Sequence, residues 1–183
     1  MKTFLQPLQN LAEMEEIQKQ AKKNRGILEI SGCMESQKAH FMYGLSGLFP
    51  CHLVIAADEK SAKELYDRFY DKRVYYYPAK DLLFFQADIH GNLLIRQRMQ
   101  VIRALLERED EITVVTSIDG CMDYLAPLEK IEKQLIHFRN DSTLDMDKLT
   151  AALVHMGYER VGQVEMPGQF SIRGGIIDIY SLT

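Results

Sequence analysis

The sequence carries little that binds metals or performs covalent chemistry. Its three cysteines, Cys33, Cys51 and Cys121, lie far apart and form no CxxC or Cys/His ligand spacing. They read as small buried hydrophobes of a reducing compartment, which excludes a disulfide framework. His40, His52, His90, His137 and His155 show no HExxH or other ligand spacing, and no G-x-S-x-G is present. Paired acids such as Glu15-Glu16 and Asp110-Glu111 sit on a helix face and at a turn, where they read as solvated. No run of about 18 apolar residues occurs, so nothing is expected to span a membrane. The start, Met1-Lys-Thr-Phe-Leu5, lacks the apolar stretch of a signal peptide, and a cytoplasmic location is expected. Basic charge is not in excess either. The net charge is −4 and the pI about 5.8, which argues against a dedicated nucleic-acid binder while leaving local basic patches open. Internal repeats and low-complexity tracts are absent.

What is present is ordinary globular sequence, 183 residues with 46% hydrophobic and 26% charged, enough for one good core or one core plus a small second domain. Residues 5–23 read as a surface helix, because Leu5, Leu8, Leu11, Met14 and Ile17 recur every third residue and drift around the helix. From Ile27 the pattern is α/β. Ile27-Leu-Glu-Ile-Ser31 predicts a short strand, 36–48 a helix ended by Gly47 and Pro50, and 52–57 a buried strand. A helix over 61–70 and a strand over 74–77, stopped by Pro78, follow. Residues 78–92 read as irregular. The spacing predicts a helix over 93–107, with Leu94, Ile95, Met99, Val101, Ile102, Leu105 and Leu106 on one arc. Arg98 falls inside that arc, so its guanidinium requires a partner or must snorkel. A third buried strand is expected over 112–116.

Alternating strands and helices imply βαβ crossovers and a mainly parallel sheet. The pattern breaks around Leu125-Ala-Pro-Leu128, which divides the chain into domains of residues 1–125 and 126–183. The second reads as a strand over 132–138, a polar loop, a helix over 145–156, and strands near 159–165, 169–173 and 176–181. The last strand ends at Thr183 without cap or tail, as expected of a piece of a longer protein.

In such a fold the first strand–loop–helix junction is the natural phosphate site. Here it is Ser31-Gly-Cys-Met-Glu-Ser-Gln-Lys-Ala39. Against G-x-x-x-x-G-K-[ST] it keeps Gly32 and Lys38 but has Gln37 for the second glycine and Ala39 for the Mg²⁺-binding hydroxyl. Gln37 obstructs the backbone nest, the metal loses a ligand, and Glu35 adds negative charge where phosphates would sit. The loop is expected to be inactive toward nucleotides.

The C-terminal stretch Pro167-Gly-Gln-Phe-Ser-Ile-Arg-Gly-Gly-Ile-Ile-Asp-Ile-Tyr180 reads as a hairpin around Gly174-Gly175. Alternation sets Phe170 and Ile172 on one face and Ser171 and Arg173 on the other. By physics alone, Arg173 reads more readily as a solvated edge-strand arginine than as a binding residue.

This P-G-x-F-x-[IV]-R-G-G-[IL]-[IL]-D-I-[YF] pattern resembles the signature of the transcription-repair coupling factor family (Mfd) and the related G-x-F-x-V-R-G segment of UvrB. Gly157-Tyr-Glu-Arg160-Val161, Leu149-Thr-Ala-Ala-Leu153, Tyr76-Tyr77-Pro78, Ile95-Arg-Gln-Arg-Met99 and Ile112-Thr-Val-Val-Thr116 followed by Leu125-Ala-Pro127 are similar to further stretches of these families. Ser181-Leu-Thr183 departs from the proline usual after the last aromatic. The resemblance implies a degenerate RecA/helicase-like parallel sheet with flanking helices, followed by a small α/β domain of the UvrA-binding type. It implies UvrA as partner; the hairpin and the nearby strand at 160 are expected to present Arg160 and Arg173 at the UvrA-binding site, with Phe170 packing beneath or beside them. It also implies RNA polymerase and DNA as partners of other domains, and ATP and Mg²⁺ only in motor domains elsewhere in the parent. No cofactor and no enzymatic activity are expected of these residues themselves. Arg160 is equally well read as an internal ion-pair partner of Glu159 or Glu165. Phe84, Phe85 and His90 are expected to cover the sheet edge, not to stack on bases. A nucleotide-dependent enzyme using the 31–39 loop, and a DNA-binding module using Arg96, Arg98 and Arg103 with the 78–92 loop, are the competing readings.

Overall fold

The computed structural model describes all residues except 1–9, 24–25, 70–72, 81–87, 139–142, 144 and 182–183. The chain forms two compact units. One comprises Met1–Lys80 with Glu107–Tyr124, the other Asp81–Leu106 with Leu125–Thr183.

The first unit is built on a three-stranded parallel sheet: β1 (Cys51–Ala56), β2 (Val74–Tyr77) and β3 (Ile112–Ser117), in the order β1-β3-β2. The latest strand in sequence lies in the middle, and all six of its residues are buried, as a central strand covered on both faces requires. Helices α1 (Ala12–Lys23) and α2 (Glu35–Leu45), a 3₁₀ turn at Ser46–Leu48, and α3 (Glu59–Asp67) flank it. The core joins Val54, Ala62, Val74, Tyr76 and Val115, with Met42, Leu65, Tyr66 and Phe69 packed against them. Tyr66 stacks on Tyr76 with ring centroids 5.4 Å apart. A short helix, α5 (Ile118–Met122), follows β3; Ser117 caps it by accepting from Gly120 N at 3.0 Å.

Polar groups tie the carboxyl ends of the strands together. Asp58 caps α3, accepting from Ser61 N at 2.7 Å. The next residue, Glu59, sends its carboxylate across the sheet. One oxygen accepts from the Tyr76 hydroxyl and from Ala79 N (3.2 Å), the other from Ser117 Oγ (2.6 Å). Burial, with the Glu59 carboxylate, pushes the Tyr76 phenol far above its ordinary value.

The expected strand at 27–31 does not form. Residues 27–31 take no regular structure, and Ile27 stands fully exposed, with Leu28 and Ile30 also exposed. An alternating apolar run becomes a strand only where a neighbouring strand satisfies its backbone, and the sheet ends at β1 on that side.

In the second unit, α4 (Asp88–Leu106) begins five residues earlier than its apolar arc suggests, within the stretch read as irregular. Val101, Ile102 and Ala104 are buried, and Arg98 is 8% exposed and engaged with a partner, as its place in the arc required. The expected strand at 132–138 is instead the end of a short helix, α6 (Leu128–Glu132), and an irregular segment whose Ile136 packs into the core. Helix α7 (Met146–His155) is capped by Asp145, which accepts from Asp147 N (3.2 Å) and Lys148 N (3.1 Å). It covers a second sheet, β4 (Glu159–Arg160), β5 (Gln169–Arg173) and β6 (Ile176–Ile179), in that order, with β4 parallel and β6 antiparallel to β5. The strand expected over 159–165 is limited to its first two residues. No helix among the described residues is long and apolar enough to cross a membrane.

Candidate protein-docking site

The hairpin β5–β6 turns where Gly174-Gly175 stands, and Gly174 has φ +61°, a conformation that costs glycine nothing and other residues about 1 kcal/mol or more. The register pairs Phe170 with Ile179, Ser171 with Asp178, Ile172 with Ile177, and Arg173 with Ile176. Directly opposed residues share a face. Phe170, Ile172, Ile177 and Ile179 therefore point one way, onto Leu149 and Leu153 of α7 and Tyr158, and form the unit's core. Ser171, Arg173, Ile176, Asp178 and Tyr180 point the other way.

This second, outer face holds the site. Ser171 is buried and donates its hydroxyl to the Gly162 carbonyl at 3.0 Å, closing the loop between β4 and β5 over part of the face. Beyond it, the Arg173 side chain is 67% exposed and donates from Nη2 to Asp178 Oδ2 at 2.5 Å. Ile176, 64% exposed and directly opposite Arg173, and the exposed Tyr180 share this face with that pair. Gln169 stiffens the approach to β5: its side-chain oxygen accepts from Glu165 N and Met166 N, both at 3.0 Å, and its amide reaches Glu159 Oε2 at 3.4 Å.

The three residues assigned to the UvrA-binding site are thus placed differently from one another. Arg173 is on the open face. Phe170 is wholly buried, so it lies beneath the site as its support. Arg160 stands opposite Phe170 in the parallel pairing, which puts it on the Phe170 side of the sheet, whereas Glu159 and Gln169 share the Arg173 side. Because β4 is the edge strand, the Arg160 side chain is nonetheless exposed. Among the described residues it pairs with neither Glu159 nor Glu165. The sequence set Phe170 and Arg173 on opposite faces of their strand; the position of Arg160 depends on a pairing between distant segments that no local pattern reveals. Asp178 escaped sequence reasoning altogether, although its even spacing from Ile176 and Tyr180 carried the signal.

The other candidate groups are also placed. Gly32 has φ +84° in the irregular segment before α2, so the junction lacks the strand that a phosphate loop follows. Gln37 turns back on the helix start, its side-chain oxygen accepting from Met34 N at 3.2 Å. Lys38 pairs with Glu35, and Ala39 is buried. Of the basic residues on α4, Arg96 and Arg103 are exposed and Arg98 is buried, so the three do not make one surface. Phe84 and Phe85 lie outside the described residues, and His90 falls in α4 where side chains are not described.

Residues 136–183, spanning α7 and the whole second sheet, match the UvrB interaction domain. Over 173 residues the chain is 34% identical to the transcription-repair-coupling factor of Bacillus subtilis, covering 84% of this chain and 14% of that protein. It is 34% identical over 109 residues to the same factor from Staphylococcus haemolyticus, and 31% identical over 111 residues to that of Staphylococcus aureus, covering 60% and 61% of the chain and 9% of each relative. The chain therefore spans only a small part of the length of its relatives. Residues 136–183 form a UvrB interaction domain, within a chain that is a UvrB-like module of the transcription-repair-coupling factor type.

Proposed function

We propose that this chain recruits UvrA, the damage-recognition subunit of nucleotide excision repair, on behalf of a transcription-repair coupling factor in the cytoplasm. The observation that carries the reading is the coincidence of the UvrB interaction domain with a rigid hairpin that displays Arg173 on an open face. An arginine fork matches a carboxylate bidentately, and arginines and aromatics dominate interface energetics. In this reading residues 1–125 are a motor-like body without a working nucleotide site and residues 126–183 the docking domain. The parent's ATP-driven translocation, and its contacts with RNA polymerase and DNA, belong to other parts of the longer protein. The chain itself needs no cofactor and catalyses nothing. Gln37 and Lys38, each engaged within α2, support an inert loop over a nucleotide enzyme. The burial of Arg98 weighs against a DNA-binding arginine cluster.

Calorimetry with purified UvrA tests this. Arg173→Ala on the open face, and Arg160→Ala at the exposed edge strand that a partner gripping the sheet would also reach, are each expected to lose about 1–3 kcal/mol of affinity. Binding unchanged in both would overturn the site. No binding by the folded chain would overturn the function.

A further inference from the structure

The Arg173–Asp178 pair has a meaning beyond charge balance. Across the hairpin, Asp178 stands directly opposite Ser171, and Arg173 opposite Ile176, so the ion pair runs diagonally over the outer face. A diagonal neighbour on one face of an antiparallel pair lies about 7–8 Å away, within reach only of a long side chain laid along the sheet. Arg173 therefore lies over β6 instead of extending into solvent. Only Nη2 is engaged by Asp178. A guanidinium carries five N–H donors in a fixed plane, so most of the fork stays available, and its plane is set by the bond that Asp178 makes. Ile176, directly opposite Arg173, and Tyr180, two residues beyond Asp178, share that outer face, and both are exposed.

We infer that Asp178 is a positioning residue for docking: it holds Arg173 across the outer face of β5–β6, aimed at a carboxylate of the partner, with Ile176 and Tyr180 as the apolar flank. The inference rests on the proposed recruitment of UvrA. An unrestrained arginine loses rotamer freedom on binding, and a partner that meets a fork already oriented meets less of that cost. An opposite arrangement has the same pair act as a mask, in which Asp178 competes with the partner for Arg173. The two differ in sign.

The test is a double-mutant cycle between positions 173 and 178, read as UvrA affinity of the full 183-residue chain. Asp178→Ala is expected to weaken binding roughly three- to tenfold in the parent background, and to change nothing further once Arg173→Ala is present. Asp178→Glu, which keeps the carboxylate, is expected to recover part of the loss. Tighter binding by Asp178→Ala would establish masking and overturn the inference, as would strictly additive effects of the two substitutions. If Arg173→Ala itself leaves affinity unchanged, the docking-site reading fails first, and the cycle distinguishes that result from failure of the positioning role. Thermal melts of each variant guard the comparison. Both side chains are substantially exposed, and a melt unchanged to within a few degrees assigns the loss of binding to orientation.

Discussion

If Phe170 is support and not contact, its removal should be felt in stability before it is felt in binding. The ring is 0% exposed and sits with Leu149 and Leu153, enclosed by Ile136, Tyr158, Ile172, Ile177 and Ile179. Truncation to alanine removes roughly 2–3 kcal/mol of transfer free energy. The void it leaves is walled by a helix and a sheet, which collapse only in part, so the total cost is about 3–5 kcal/mol. A domain is stable by about 5–15 kcal/mol, and small ones lie at the low end. Phe170→Ala should thus bring the second unit close to unfolding while leaving the first unit's sheet intact. Native-state hydrogen exchange separates the two. Amides of 169–179 should lose most of their protection, and those of 112–117 should keep theirs. Phe170→Leu, which nearly conserves volume, should cost below about 1.5 kcal/mol and leave UvrA affinity unchanged. A clear loss of affinity by Phe170→Leu at unchanged exchange would refute the argument, because it would mean that the ring itself meets the partner.

Two further outcomes follow from the first unit. A Cβ at Gly120 would meet Thr116 Oγ1 at 2.3 Å and the Tyr77 carbonyl at 3.2 Å, two atoms already joined by a 2.7 Å hydrogen bond. Gly120→Ala should therefore cost about 1–3 kcal/mol in a urea titration, and an unchanged midpoint would contradict this packing. Burial lowers the His52 pKa below its usual 6.5 despite a hydrogen bond to the Ser46 backbone, and its Nε2 has no partner. The unfolded chain then binds the proton more tightly. Stability is full above the unfolded value and falls as pH drops through and below about 6.5, a slope that His52→Gln should flatten in melts at graded pH.

Local signals carried much of this fold. The Gly174-Gly175 turn between alternating runs specified the hairpin, and Val74–Tyr77 stood out as a strand because Pro78 stops it. What was not legible depends on neighbours. Ile27–Ser31 has a strand's composition without a strand beside it, whereas Cys51–Ala56 pairs along its whole length with a segment some sixty residues away. The same holds for the site. Arg173 is identifiable from its own strand, but the face taken by Arg160 follows from the β4–β5 register. Glu59 looked like one more acidic residue at a helix start, and only the assembled sheet brings Tyr76, Ala79 and Ser117 to it.

The Glu59 carboxylate bears on how fast the first unit comes apart. Its partners lie 17, 20 and 58 residues further along the chain, so the full set of bonds closes only after the start of α3 has met the ends of both β2 and β3. Side-chain bonds of this kind need the sheet already packed around them, and a contact made after the folding barrier acts on the unfolding limb of the kinetics. Glu59 is thus a latch in time. Its loss should leave the refolding rate nearly unchanged and raise the rate of opening, shortening the lifetime of the assembled sheet while the chain still finds its fold at the original pace.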